Sequence, residues 1–429
     1  MKFLKQWKWN LFWILLSVVV TLMVSNLTPA QKSLNYEIDG IDAVSGKRFE
    51  KILGEMMGPA FLDRNEIKTL ENGNQIFPAM LSAIASAKKT ITFESYIYWS
   101  GEIGNQFVEA LVERSRHGVK IHVLLDWVGS EKIDENYILR MQDSNIEVER
   151  YHQPSWYNFW RLNNRTHRKI LVVDGLVGFT GGVGIADEWN GDGKDAKKWR
   201  DTHYEVRGPV VAQMQTAFLE NWMKVRPEIH LSVDYFPDST DEMQKKNSLA
   251  QMFSSSSGEG GSSVHIMYLL SLAAARKTIF LESAYFVPDE VTIKEIIKAA
   301  KRGVIVEIIV PGKLTDAKIV RHASRENWGE LLRAGVRIYE YDPAMFHCKV
   351  LVIDNYFVSV GSTNFDERSF KLNDEANLNI LDSQVAEEQL QIFEKDKTRS
   401  KEITLQQWQN RPYLDKVIEK FAGIMRSQL

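Results

Sequence analysis

The chain has a single cysteine, Cys348, in 429 residues. No disulfide can close within it and no thiolate cluster can hold zinc, so packing alone must hold the core. Neither sign of charge is in excess: 53 Lys and Arg stand against 56 Asp and Glu, a net charge of −3. That balance, without a Lys/Arg-rich stripe, argues against a protein that coats nucleic acid. Hydrophobic content of 44% and charged content of 25% exclude a disordered or fibrous chain. At roughly 100–200 residues per domain, there is room for two or three domains.

Charge is absent altogether from the 23 positions between Lys8 and Lys32. A membrane-spanning helix needs ~20 mainly apolar residues. The most apolar stretch here, Leu11 to Val24, has 14. We favour an uncleaved transmembrane signal anchor over residues 1–30, with Trp7, Trp9 and Trp13 near the interface. The competing reading is a secretory signal cleaved after Thr28-Pro29-Ala30. By the positive-inside rule, Lys2, Lys5 and Lys8 stay cytoplasmic and the rest of the chain faces outward.

Beyond residue 60 the chain repeats itself. Ala87–Tyr98 (AKKTITFESYIY) matches Ala275–Phe286 (ARKTIFLESAYF), and Arg116–Leu125 matches Arg302–Val310. Ser144–Tyr151 in turn matches Ala334–Tyr341. Each copy alternates apolar strands with amphipathic helices, which predicts an α/β fold: two similar lobes, each a mixed sheet covered by helices. The division expected is a linker over 31–60, lobes over 61–235 and 264–385, and a flexible Ser/Gly-rich connector over 236–263. Residues 386–429 read as a helical segment packed on the core, with Trp408, Tyr413, Val417, Ile418, Phe421 and Ile424 at helical spacing.

The duplication culminates in two segments that obey H-x-K-x4-D-x6-G-[GS], built on His167, Lys169 and Asp174 and on His347, Lys349 and Asp354. On a strand, residues i and i+2 share a face, so each His and Lys present their tips together while Cys348 points away. Both aspartates fall on the opposite parity, beyond a run of four apolar residues, which favours scaffolding at the strand end over substrate contact. Two His and two Lys with no carboxylate or thiolate cage suit a phosphodiester rather than a metal. The lysines neutralise non-bridging oxygens, one neutral His attacks phosphorus, and one protonated His gives a proton to the leaving oxygen. Each motif is followed by a strand carboxylate, Asp201 after 34 residues and Glu375 after 28. A carboxylate on one ring nitrogen aims the other, so these two are the expected His-orienting residues, with Asp374 the fallback for Glu375.

These motifs resemble the paired HKD signatures of the phospholipase D superfamily. Trp199-Arg-Asp-Thr-His203 and Gly361-Ser-Thr-Asn-Phe-Asp-Glu-Arg-Ser-Phe370 look like bacterial cardiolipin synthases. The resemblance implies a two-lobed fold with one active site between the lobes, a phosphohistidine intermediate and no metal or other cofactor. By matching position, Asn364 joins His167, Lys169, His347 and Lys349 around the phosphate, with His167 the nucleophile and His347 the general acid. One departure stands out: the first repeat has Gly184 where the second has Asn364.

The expected reaction is phosphatidyl transfer between two phosphatidylglycerols, giving cardiolipin and glycerol. The alternatives are a phospholipase D-type hydrolase or, less favoured by charge, a nuclease. Pro154–Leu162 (PSWYNFWRL), with Arg161 and Arg165, suits a lipid headgroup region. The expected partners are thus phospholipid and membrane, not nucleic acid. The expected location is the bacterial inner membrane, single-pass, with the catalytic lobes on the periplasmic side.

Overall fold

The computed structural model describes residues 2–27, 38, 40–153, 164–228, 231–238, 248–256 and 263–426. The first half supplies β1 (Leu62–Glu71), β2 (Thr90–Ser95), β3 (Lys120–Asp126), β4 (Glu147–Tyr151), β5 (Ile170–Val173), β6 (Val177–Gly181) and β7 (Thr202–Arg207). The second half begins with β8 (Ser248–Ser255), β9 (Thr278–Ser283), β10 (Phe286–Val287), β11 (Ile305–Pro311) and β12 (Arg337–Tyr341). It continues with β13 (Lys349–Ile353), β14 (Phe357–Gly361), β15 (Phe365–Asp366), β16 (Glu375–Leu381) and β17 (Ser400–Ile403). Apart from the short β10–β15 pair, these strands form one sheet in the order β17-β12-β11-β9-β13-β14-β16-β8-β1-β7-β6-β5-β2-β3-β4.

Leaving β17 aside, that order reads the same from either end once each strand is replaced by its repeat counterpart. The mirror point is the antiparallel β8–β1 pair, which joins Leu62 to Ala250 and Asn65 to Ser248. Thus the stretch 236–263, expected to be a flexible connector, contributes a central strand. Its alternation of Ser, Gln and apolar residues disguised it as linker, although Ala250, Met252 and Phe253 are buried. The expected 31–60 linker is likewise partly structured. Helix Lys47–Ile52 puts Phe49 into the second lobe's core beside Leu53.

Three apolar layers hold the lobes. Separate clusters cover one face of the sheet in each half of the chain. A shared inner cluster joins Ile170 and Val172 of the first lobe to Val350, Val352 and Val358 of the second. Strands β5 and β13 are buried along their whole length, which explains their unbroken Ile/Leu/Val runs. Each fully buried side chain of this kind contributes ~1.5–3 kcal/mol.

At the amino end, Lys2–Leu27 is a 26-residue helix. Among the described residues, however, no helix is long and apolar enough to cross a membrane, so the expected transmembrane helix is not found. The carboxy-terminal segment also differs from expectation. It includes β17, which extends the sheet beside β12. Its last helix, Tyr413–Ile424, buries Glu419 and Ala422 and leaves its large apolar side chains exposed. The aromatic stretch 154–162 lies outside the described residues.

Candidate active site

The backbone brings the two motifs to the seam between the lobes. The segment leading into β5 pairs with the second lobe: His167 N–H donates to Asp374 O at 2.9 Å, and Asp374 N–H to Arg165 O at 2.8 Å. The segment leading into β13 does the same with the first lobe, His347 N–H donating to Arg200 O at 2.7 Å and Arg200 N–H to Met345 O at 2.8 Å. Each histidine therefore sits beside the residue that precedes the other lobe's carboxylate.

The carboxylates cross accordingly. His167 Nδ1 lies 3.0 Å from both oxygens of Glu375, and His347 Nδ1 lies 2.8 Å from Asp201 Oδ2. All four groups are buried. An Nδ1–H that donates to a carboxylate fixes the tautomer and leaves Nε2 to act. The supports differ between the halves. Trp189 Nε1–H donates to Asp201 at 2.9 Å, whereas Ser362 Oγ–H and, at 3.3 Å, Asn373 Nδ2–H serve Glu375. Asp374, the fallback, instead accepts from Tyr151 at 2.5 Å.

Each lysine tip turns back beside its own histidine: Lys169 Nζ donates to His167 O at 2.7 Å and Lys349 Nζ to His347 O at 2.6 Å. Cys348 faces the other way, into a pocket of Ile309, Phe346 and Phe393. Burial lowers His167 to about 4, against the opposing pull of Glu375. Burial would raise Glu375, but His167 and Lys169 outweigh it and hold the carboxyl at about 2. At neutral pH this pair is a neutral imidazole donating to a carboxylate. Burial and the neighbouring Lys349 ammonium lower Lys169 to about 7. Burial and Lys349 also lower His347, while Asp201 pulls upward. Asp201 itself is held below its ordinary value: burial raises it, but His347 and Lys349 prevail.

Both histidines, Lys169 and Asn364 line one cavity of about 500 Å³. The Asn364 Oδ1 atom is buried and makes no hydrogen bond within the protein. Tyr96 packs edge-on to His167 at 5.0 Å, and Trp189 and Trp199 flank His347 at 5.2 and 5.4 Å. Arg165, Arg368 and Lys132 add three further cations to the wall. Sequence reasoning about the site missed Tyr96, Trp189 and Arg368. A signal existed for Tyr96, which directly follows the repeated Glu-Ser of β2. Among the described residues no cluster of three or more His, Cys, Asp or Glu is disposed to hold a metal.

The Gly184 departure has a steric cause. A Cβ there would stand 2.8 Å from Ile97 Cβ, so the first lobe has no room for the asparagine that the second lobe carries. Asp174 and Asp354 are not brought to the cavity. They end β5 and β13 at φ 53° and 54°, where each carboxylate gathers three backbone N–H groups. Asp174 accepts from Lys88, Lys89 and Thr90 at 2.7–2.9 Å, and Asp354 from Arg276, Lys277 and Thr278 at 2.7–2.9 Å. Each ties the hairpin after the motif strand to the start of its neighbour, β2 or β9.

Comparison with known proteins agrees with this geometry. The family described as "Cardiolipin synthase, PLD-like domain" matches residues 80–219 and 268–397, one segment in each lobe. Cardiolipin synthase A of Pseudomonas fluorescens is 34% identical over 345 residues, covering 80% of this chain and 70% of the relative. Cardiolipin synthase 1 of Bacillus anthracis is 33% identical over 378 residues, covering 86% and 73%. Among solved structures, phosphatidylserine synthase of Haemophilus influenzae superposes with a TM-score of 0.68 at 14% identity, over 89% of this chain and 99% of that one, a likeness of fold. With a matching segment in each lobe and relatives alike over most of their length, the chain belongs to the cardiolipin synthase family of phospholipase D-like enzymes.

Proposed function

We infer that the chain is a cardiolipin synthase that moves a phosphatidyl group from one phosphatidylglycerol to another. The observation that carries this reading is the crossed pair of histidines, each held by the other lobe's carboxylate, over one cationic cavity. Lys169, Lys349 and the Asn364 amide hold the non-bridging oxygens of the donor phosphate. His167 Nε2 attacks phosphorus as the bond to the glycerol oxygen breaks, and His347, protonated, delivers the proton that makes free glycerol. The substrate's negative charge favours the protonated form of His347, against the downward pull of burial. The now neutral His347 takes the proton of a second phosphatidylglycerol hydroxyl. That oxygen attacks the phosphatidyl–His167 bond, releasing cardiolipin and restoring both histidines.

The acceptor is itself anionic, and a cavity wall with Arg165, Arg368 and Lys132 beyond the His/Lys pairs favours it over water. We further propose that the lobes work at the outer face of a bacterial cell membrane, attached by the helix Lys2–Leu27. Its Trp7, Trp9, Phe12 and Trp13 are exposed, which supports burial in lipid. Protease protection of the lobes in intact spheroplasts would overturn that orientation.

The decisive test is lipid mass spectrometry of phosphatidylglycerol vesicles incubated with the full-length protein, beside a His347→Ala control. Cardiolipin and glycerol formed by the parent alone are expected. Phosphatidic acid alone would make the enzyme a hydrolase.

A further inference from the structure

The last helix, Tyr413–Ile424, is amphipathic in an unusual sense: its polar side is the one that docks on the protein. Glu419 is buried between Arg325 at 2.9 Å and Arg411 at 2.5 Å, and Ala422 packs with Val287 and Val320. The opposite side carries Tyr413, Leu414, Val417, Ile418, Phe421 and Ile424, whose spacing of one, three and four residues makes a continuous stripe. These side chains are 40–82% exposed, with Phe421 at 65% and Ile424 at 75%.

The helix that carries the stripe packs, through Ala422, on Val320 of the catalytic cavity wall. The helix it lies against, Lys318–Glu326, presents Val320 to the cavity wall and Ile319 to solvent, and the loop before it exposes Leu314. Lys313, Lys318 and Lys420 are exposed on these elements. Of the nearby carboxylates, Glu419 is taken up by two arginines and Asp316 accepts the Tyr285 hydroxyl at 2.6 Å, while Glu290, Glu326 and Glu330 lie beside Lys420 and Ile424 at the far end of the helix, Glu290 paired with Arg426. Asp415 is half-buried. Exposed apolar side chains on a helix beside the cavity wall, with Lys313 and Lys318 next to the cavity-lining Asp316 and Val320, have the chemistry of an interfacial helix.

We propose that this stripe is the surface on which the enzyme rests in an anionic bilayer, placing the cavity mouth at headgroup level. The inference rests on the lipid-substrate reading above and adds the docking surface. It differs from attachment by the amino-terminal helix because it orients the cavity rather than merely tethering the lobes.

Cysteine labelling tests it on the full-length chain, because the native Cys348 is wholly buried. Phe421→Cys and Leu414→Cys would each carry an environment-sensitive fluorophore, with Lys88→Cys, at the end of the sheet away from the cavity, as control. Phosphatidylglycerol vesicles are expected to blue-shift the labels at 421 and 414 and expose them to acyl-chain nitroxide quenchers. The control should not respond. Labels that stay in water would overturn the proposal. So would labels already shielded without vesicles, which would mean a second copy or the amino-terminal helix covers the stripe. Cardiolipin formation is followed on the same samples. Activity without insertion defeats the docking surface alone, whereas insertion without activity supports it and defeats the transferase reading.

Discussion

Glu375→Gln removes one charge from the site and little volume, which makes it the sharpest probe of the crossed arrangement. In the parent, His167 donates to both Glu375 oxygens at 3.0 Å, and Ser362 and Asn373 also donate to this carboxylate. An amide offers one acceptor where three donors converge, and its NH2 must face one of them. Losing one charge-assisted hydrogen bond costs ~1.5–3 kcal/mol. The electrostatic figure is similar: holding the carboxyl at about 2 rather than 4.5 corresponds to ~3 kcal/mol at 1.36 kcal/mol per pH unit. That energy stabilises the imidazolium-like transition state, so turnover should fall ~10²-fold. The assay is cardiolipin formation by mass spectrometry, with an alkaline quench to follow phosphohistidine and ¹⁵N spectra of labelled histidine. The His167 resonance should move and that of His347 should not. A folded Glu375→Gln enzyme within about threefold of the parent rate, ~0.7 kcal/mol, would refute the reasoning.

Four further outcomes are expected. The kcat/KM profile should rise as pH passes about 4, where His167 becomes neutral, and fall toward and beyond pH 7, as His347, held below its ordinary value by burial and Lys349, and then Lys169, at about 7, lose their protons; a flat profile through pH 7–9 would contradict the second limb. Asp174→Ala strips three backbone N–H groups of their acceptor and should lower unfolding free energy by ~1–3 kcal/mol in urea titrations. Gly184→Asn should destabilise the chain through the Ile97 contact by ~1–3 kcal/mol, with the double change to Gly184→Asn and Ile97→Ala recovering part of the loss. Arg368→Ala, which thins the cationic wall, should raise KM for phosphatidylglycerol and shift product from cardiolipin toward phosphatidic acid, both read by lipid mass spectrometry.

Much of the molecule was legible from residue spacing. The apolar runs after His167 and His347 mark buried strands, and the repeat of two motifs requires two lobes. The crossing of Glu375 to His167 was not legible, because it depends on how one lobe meets the other rather than on distance along either. Strand β8 was hidden by composition: Ser254, Ser255 and Gln251 read as linker, yet their backbones pair with β16 and the Gln251 amide bonds Leu53 O. The Tyr413–Ile424 helix misled in the opposite sense, since apolar periodicity predicts that a face is covered without naming what covers it.

The crossed carboxylates also bear on why the two halves are so unlike in detail. In a symmetric pair of identical lobes, every change made for the attacking histidine would be imposed on the protonating one. Joining the lobes in one chain lifts that constraint. Gly182 can leave room for Asp201 while its counterpart Ser362 donates to Glu375, and Ile97 can fill the space that Asn364 uses across the seam. Neither lobe is a complete tool, since each holds the other's handle. A chain cut at the seam should be silent as either piece, and regain function only when both pieces are present together.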